Sequence, residues 1–169
     1  MTLEQVLFLV LGAMALGSAL AVVTRKNPIG AAMFLVMHFM SLAGLYLTLS
    51  AQFMAAIQVL VYAGAIMVLV VFVIMLLNLG DEETLKERLT SREGLGVGLS
   101  MLLGGTLIFA LTRVVHNAPA ASSKLVGNGT IEGVGKALFT TYVFPFEIIS
   151  LVLLAAVVGA VVLTKRHLH

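Results

Sequence analysis

Two ionisable side chains of this sequence lie within long apolar segments, namely His38 and Glu147. Ionised groups in such surroundings are costly, which makes them candidates for function. An imidazole ordinarily titrates near neutral pH and can relay protons. It can also stay neutral and hydrogen-bond a neighbouring helix. We favour the hydrogen-bonding role for His38 over the proton relay.

Glu147 follows Pro145, a residue that suits the first turn of a helix. A carboxylate at that place meets the positive end of the helix dipole. It also lies near the membrane boundary, where ionisation is less costly than at the centre of the bilayer. We therefore favour a helix-capping role for Glu147 over proton handling.

A third group combines polar side chains with very small ones. Gln58 and Tyr62 are four residues apart, so a helix places them on one face. Ala63, Gly64 and Ala65 follow and allow close helix approach. From spacing alone we favour an ordinary packing face with a hydrogen-bonded Tyr62. The alternative is a π-bulge at this small-residue turn, which would rotate the rest of the helix by roughly 100°.

The elements that position these residues are membrane-spanning helices. The chain is 60% hydrophobic and 11% charged, with a mean hydropathy of +1.11, which excludes a water-soluble enzyme. Five apolar stretches reach the roughly 20 residues that cross a bilayer, and the third is longer than needed. They cover residues 3–23, 29–49, 53–77, 95–115 and 143–163 of a single membrane domain, 1–169. Backbone polar groups must bond internally in lipid, so each stretch is a helix.

The distribution of basic residues predicts the orientation. With the N-terminus outside and the C-terminus inside, the inner side carries seven Lys and Arg residues and the outer side three, as positive-inside membrane proteins do. The inner residues are Arg25, Lys26, Lys86, Arg88, Arg92, Lys165 and Arg166, and the outer ones are Arg113, Lys124 and Lys136. For the inner loop 80–94 we favour a solvated segment over a short surface helix, and the outer loop 116–141 reads as irregular.

Composition also limits the chemistry. The chain has no cysteine, which excludes thiolate-held metals and clusters, and its basic residues form no nucleic-acid patch. One histidine cannot hold a haem, and so few charged groups cannot build a complete ion pathway. We therefore predict no catalytic, cofactor or metal site in this chain, which indicates a subunit of a larger assembly.

Two segments carry a family resemblance. The stretch LAGLYLTLSAQFMAAIQVLVYAGAIMVLVVFVIMLLNL, residues 42–79, and FPFEIISLVLLAAVVGAVVL, residues 144–163, resemble subunit J of the proton-pumping NADH:quinone oxidoreductase, respiratory complex I. The mitochondrial counterpart is NADH dehydrogenase subunit 6. Length and five-span topology fit as well. Neither His38 nor the outer loop matches a family motif.

The resemblance implies a conformational role for the third helix. In that family the helix carries a π-bulge around the residues that match Tyr62 and Gly64, and it switches between π and α forms. The switch opens or closes a hydrated path from the quinone cavity toward the antiporter-like subunits. Met67 and Val68 would form a dry plug in one form, since an apolar constriction blocks protons. Glu82 or Glu83 is a weaker match to a family acidic residue.

The resemblance also implies the surroundings. NADH, FMN, iron–sulfur clusters and quinone belong to other parts of the complex, in a bacterial cell membrane. The partners are the quinone-site subunit, small three-helix subunits, antiporter-like subunits and the bilayer. One alternative is a related ferredoxin- or deazaflavin-fed quinone reductase or antiporter complex. A different class of function is a free-standing small transporter or structural helix bundle.

Overall fold

The computed structural model describes residues 2–77, 91–117 and 129–165. Within those ranges the ordered elements are all helical. They are α1 (Leu3–Thr24), α2 (Pro28–Thr48), α3 (Gln52–Ile57), a π-helical segment (Gln58–Ile66), α4 (Met67–Leu76), α5 (Ser91–Asn117), α6 (Ile131–Thr140) and α7 (Val143–Thr164).

Five helices are long and apolar enough to cross a membrane, as predicted. They are Leu3–Thr24, Pro28–Thr48, Gln52–Leu76, Gly96–Arg113 and Val143–Thr164. The third joins α3, the π segment and α4 into one continuous rod, which we call the third spanning helix. The prediction of an all-α protein with five spanning helices is therefore confirmed. The outward N-terminus stays a prediction.

The first two spanning helices form a tightly packed hairpin. α1 begins with a reciprocal cap, in which the Thr2 hydroxyl accepts from Gln5 N–H and the Gln5 side chain accepts from Thr2 N–H. The Asn27 side chain caps α2 just before a proline at the first helical position. A Cβ placed on Gly44 would lie 2.9 Å from Leu11 Cδ1 of α1, so the missing side chain permits this close approach.

A tight turn joins α2 to α3. Ala51 N–H donates to Tyr46 O at 2.9 Å and Ser50 N–H donates to Leu47 O at 3.0 Å. Ser50 has a φ of 60°. This pair of hydrogen bonds around a left-handed residue is the Schellman arrangement that ends many helices. The turn sends the third spanning helix back across the membrane beside α2.

The prediction of an irregular outer loop is wrong for its last part. Residues Ile131–Thr140 form α6, which begins with Thr130 Oγ1 accepting from Gly133 N–H at 3.2 Å. α6 contacts α3 and α7. The segment before it also packs tightly, because Phe53 N–H donates to Gly129 O at 3.3 Å.

The last two spanning helices contribute little to packing within the chain. Among the described residues, α5 contacts no other helix and α7 contacts only α6. By contrast, α2 packs against α1 on one side and against the third spanning helix on the other. Of the predicted inner loop 80–94, residues 80–90 lie outside the described residues, with Glu82 and Glu83 among them, whereas residues 91–94 are the first residues of α5.

Candidate functional site

The third spanning helix departs from α-helical geometry where the small residues lie. Gln58–Ile66 is π-helical over nine residues, longer than the single-turn π-bulges common in α-helices. Met67 N–H bonds Tyr62 O, five residues earlier, as well as Gly64 O. A π-helical piece therefore occurs in the third spanning helix, and it is longer than one inserted residue requires.

Gly64 fits the π register for a steric reason. A Cβ placed on Gly64 would lie 3.2 Å from Val59 O, the carbonyl five residues earlier along the same helix. Few real Cβ atoms approach another atom so closely. Any larger side chain at this position therefore crowds the wider turn, whereas glycine does not.

The π segment determines which side chains face inward. Gln58 is 7% exposed and Met67 is 1% exposed. In a regular α-helix these two residues, nine positions apart, would lie about two and a half turns apart and on opposite faces. Because a helix bonded over five residues has more than four residues per turn, nine residues make about two turns. The π register thus brings Gln58 and Met67 to the same, buried side.

The two predicted plug residues have different surroundings. Met67 is buried, whereas its neighbour Val68 is 67% exposed within this chain. Ala63 and Gly64 are half-buried and Ala65 is exposed. In this form of the helix the chain therefore presents Met67 inward and Val68 outward, toward lipid or another subunit.

The Tyr62 ring packs against Phe39, a residue that the sequence analysis did not identify. Its ring lies 5.4 Å from the ring of Phe39 on α2, tilted by 57°, a favourable geometry for an aromatic pair. Tyr62 is 44% exposed, unlike buried Gln58. Within the described ranges no hydrogen bond joins Gln58 to Tyr62. Phe39 went unnoticed because its contact depends on how α2 is rotated, and spacing along one helix carries no such information.

His38 makes the contact that we favoured for it. Its Nδ1 lies 2.9 Å from Ala15 O on α1. A carbonyl oxygen only accepts, so Nδ1 carries the proton and donates. Ser18 Oγ also donates to Ala15 O, at 3.0 Å. His38 is half-buried, which suits a histidine that joins two helices.

The capping role expected of Glu147 is wrong. α7 begins at Val143, so Glu147 is its fifth residue and lies beyond the first turn, where capping groups act. Its side chain is exposed, and no side chain caps α7. Sequence reasoning placed the helix start too close to Pro145, which is the third residue of the helix.

Together these residues form an irregular turn in a membrane-spanning helix. The described residues contain no group of three or more His, Cys, Asp or Glu placed to hold a metal ion. They contain a π-helical turn with Gly64 at its most crowded point. Buried Gln58, buried Met67 and the aromatic pair of Tyr62 and Phe39 surround it.

Comparison with known proteins identifies the family. The family model for NADH-ubiquinone/plastoquinone oxidoreductase chain 6 matches residues 18–163. NAD(P)H-quinone oxidoreductase chain 6 of Leptolyngbya boryana is 39% identical over 165 residues, covering 97% of this chain and 81% of the relative. NADH-quinone oxidoreductase subunit J of Escherichia coli strain K12 is 34% identical over 160 residues, covering 90% and 82%. The chain therefore belongs to the NADH-ubiquinone/plastoquinone oxidoreductase chain 6 family.

Proposed function

We propose that this chain is a membrane subunit of a proton-translocating NADH:quinone oxidoreductase and helps couple quinone reduction to proton pumping. The observation that carries the proposal is the π segment Gln58–Ile66 within a membrane-spanning helix. Family membership supplies the assembly. The relatives are NADH- or NAD(P)H-quinone oxidoreductase subunits, which does not favour an antiporter assembly or a free-standing transporter.

The coupling step is a change of helical register. In the π form Met67 faces inward with Gln58. Conversion of the segment to α-helix turns Met67 by up to about half a turn relative to Gln58, because the two residues then lie on opposite faces. Other side chains of α4 then face inward in place of Met67. The space beside this helix changes in width as a result, and so does its access to water. A narrow apolar constriction excludes water and therefore protons.

This chain contributes the switch, and other subunits contribute the redox chemistry. NADH, FMN, iron–sulfur clusters and quinone bind elsewhere in the complex, and no catalytic group is assigned to this chain. Its neighbours are the quinone-site subunit, the small three-helix subunits and the antiporter-like subunits. The chain crosses a bacterial cell membrane several times, with its N-terminus outside and its C-terminus inside.

Substitution of Gly64 tests the proposal. Gly64→Val places a branched side chain against Val59 O, where even a Cβ would lie at 3.2 Å. Overpacking of this kind costs about 1–3 kcal/mol, which shifts the helix toward the α form. We expect purified complex with Gly64→Val to keep electron transfer from NADH to its internal acceptors. Coupled quinone turnover and the proton gradient in liposomes should fall at least several-fold.

The matched control is Gly17→Val, because a Cβ on Gly17 of α1 meets no atom of this chain within 4 Å; it is measured in complex whose co-purifying subunits equal those of the wild type. It should leave pumping near the wild-type value. Wild-type turnover and full pumping in Gly64→Val would end the switching model. Mass spectrometry of the chains that co-purify in mild detergent tests the assembly independently, since a free-standing transporter would purify alone.

A further inference from the structure

The hydrogen bond from His38 Nδ1 to Ala15 O has no counterpart elsewhere in the described residues. It is the only side-chain hydrogen bond there that joins two different spanning helices. The serine hydroxyls of this hairpin bond their own helix. Ser18 Oγ donates to Met14 O at 2.7 Å, and Ser41 Oγ donates to Met37 O at 2.9 Å.

Such a bond has a large effect on helix orientation in a membrane. Lipid is as apolar as the helix surfaces, so burial alone does not select one rotation of α2 against α1. The close approach of Gly44 to Leu11 limits rotation at one level of the hairpin. A donor that must reach one particular carbonyl limits it further, because the hydrogen bond weakens steeply with misalignment. His38 therefore fixes which residues α2 presents on its other side.

The residue presented next to the π segment is Phe39, which directly follows His38 in the chain. Its ring pairs with Tyr62 at 5.4 Å, and α2 contacts both the π segment and α4. The two neighbouring side chains leave α2 about 100° apart, and their rings lie 5.9 Å from each other, tilted by 53°. His38 reaches α1, and Phe39 reaches the π segment.

We propose that His38 is a positioning residue that stabilises the π register by holding Phe39 against Tyr62. The inference rests on the proposed function only in assuming that the π and α forms of this helix exchange. It assigns His38 a role as a hydrogen-bond donor to Ala15 O and not as a proton carrier. Loss of the bond frees α2 to rotate, separates the aromatic pair and moves the helix toward the α form.

The test compares two replacements of His38 in the purified, fully assembled complex. His38→Leu removes the donor, whereas His38→Asn keeps an amide N–H at the position of Nδ1. The readout is the ratio of π to α particles at Gln58–Ile66 in cryo-electron microscopy. We expect this ratio to fall about three- to tenfold in His38→Leu. That is the change implied by the usual energies of an interhelical hydrogen bond and an aromatic pair. His38→Asn should stay near wild type.

Two further variants show whether the effect travels through Phe39. Met37→Leu, a volume-conserving change at an exposed neighbour on α2, should leave the ratio unchanged. Phe39→Leu should lower it, and adding His38→Leu should then lower it little further, since interacting residues are not additive. If His38→Leu fails to assemble, Phe39→Leu alone decides, because it leaves the bond to Ala15 in place. An unchanged π fraction in Phe39→Leu overturns the proposal.

Proton pumping separates this role from proton transfer. Asparagine does not titrate, so wild-type proton pumping by His38→Asn supports the positioning role of His38. Loss of pumping with an unchanged π fraction would overturn that role and would favour a proton relay through His38. The outcome is also distinguishable from failure of the proposed function. A fall in the π fraction without any effect on pumping would sink the coupling model and leave the positioning role of His38 intact.

Discussion

Met67 reports the register of the third spanning helix at the scale of one residue. It is 1% exposed, although it lies on a helix whose other large side chains mostly face outward. Its burial follows from the π segment, since a regular α-helix would turn it away from Gln58. The adjacent Val68 is 67% exposed. The burial of Met67 and the exposure of Val68 are therefore the packing signature of the π register.

This contrast predicts unequal effects of truncation. Met67→Ala removes buried packing and should destabilise the chain by up to about 2 kcal/mol, at the low end for core truncations because lipid competes for apolar surface. Val68→Ala should cost well under about 1 kcal/mol. The measurement is the temperature at which this subunit dissociates from purified complex. Larger sensitivity at Val68 than at Met67 would mean that the assembled complex holds the helix in the other register.

Residue-level inference from the sequence succeeded where local chemistry was decisive. A mid-membrane histidine needs a partner, and His38 has one in Ala15 O. Small residues permit an irregular turn, and the π segment surrounds Gly64. Phe39 could not be found this way, because its importance comes from facing Tyr62 across two helices. Glu147 was misjudged because its role depended on the residue at which α7 begins.

Among the elements, α6 shows the limit of reading a loop from composition. Gly133 and Gly135 lower the helix propensity of this segment, so it resembles an irregular connection. Two features that helix propensity does not take into account stabilise α6. Thr130 caps its first turn, and the ring of Phe139 packs edge-on against Phe146 of α7 at 5.1 Å. The five spans were recoverable because twenty apolar residues have no comparable alternative in lipid.

Gly129 packs directly against the α2–α3 turn, so we expect a single added methyl group at Gly129 to disrupt this contact. A Cβ on Gly129 would lie 2.6 Å from Ser50 O and 2.8 Å from Ala51 Cα, both backbone atoms. Gly129→Ala must therefore separate the two segments and break the hydrogen bond from Phe53 N–H to Gly129 O. We expect at least tenfold faster hydrogen exchange at the Phe53 amide, measured by mass spectrometry of the complex.

Gly135→Ala provides the control in the neighbouring helix. A Cβ there meets nothing within 4 Å, and alanine favours a helix over glycine by about 1 kcal/mol. The exchange of Phe53 should not change in this variant, and α6 itself should exchange more slowly. Equal protection of Phe53 in Gly129→Ala and wild type would show that the junction opens without loss of the hydrogen bond.

On the scale of the whole molecule, the described helices do not all pack into one bundle. α1, α2 and the third spanning helix pack together, whereas α5 contacts no other described helix and α7 contacts only α6. A membrane subunit built in this way reserves the surfaces of two spanning helices for lipid or for other subunits. Membership in a family of oxidoreductase subunits agrees with that division. The three packed helices include the π segment, so this segment is held by the chain's own contacts.

The open surface of α5 gives a prediction about assembly. A Cβ on Gly104 meets no atom of this chain within 4 Å, so Gly104→Leu should leave the helical content of the isolated chain in detergent unchanged. Glycine on a spanning helix commonly marks close approach by another helix. We therefore expect Gly104→Leu to reduce the amount of this chain that co-purifies with the other subunits several-fold. Gly104→Ala, which adds one methyl group, should cause a smaller loss. Undiminished co-purification of Gly104→Leu would place this face of α5 against lipid, and the partner contacts would then have to lie on α7 or on the outer face of the three-helix unit.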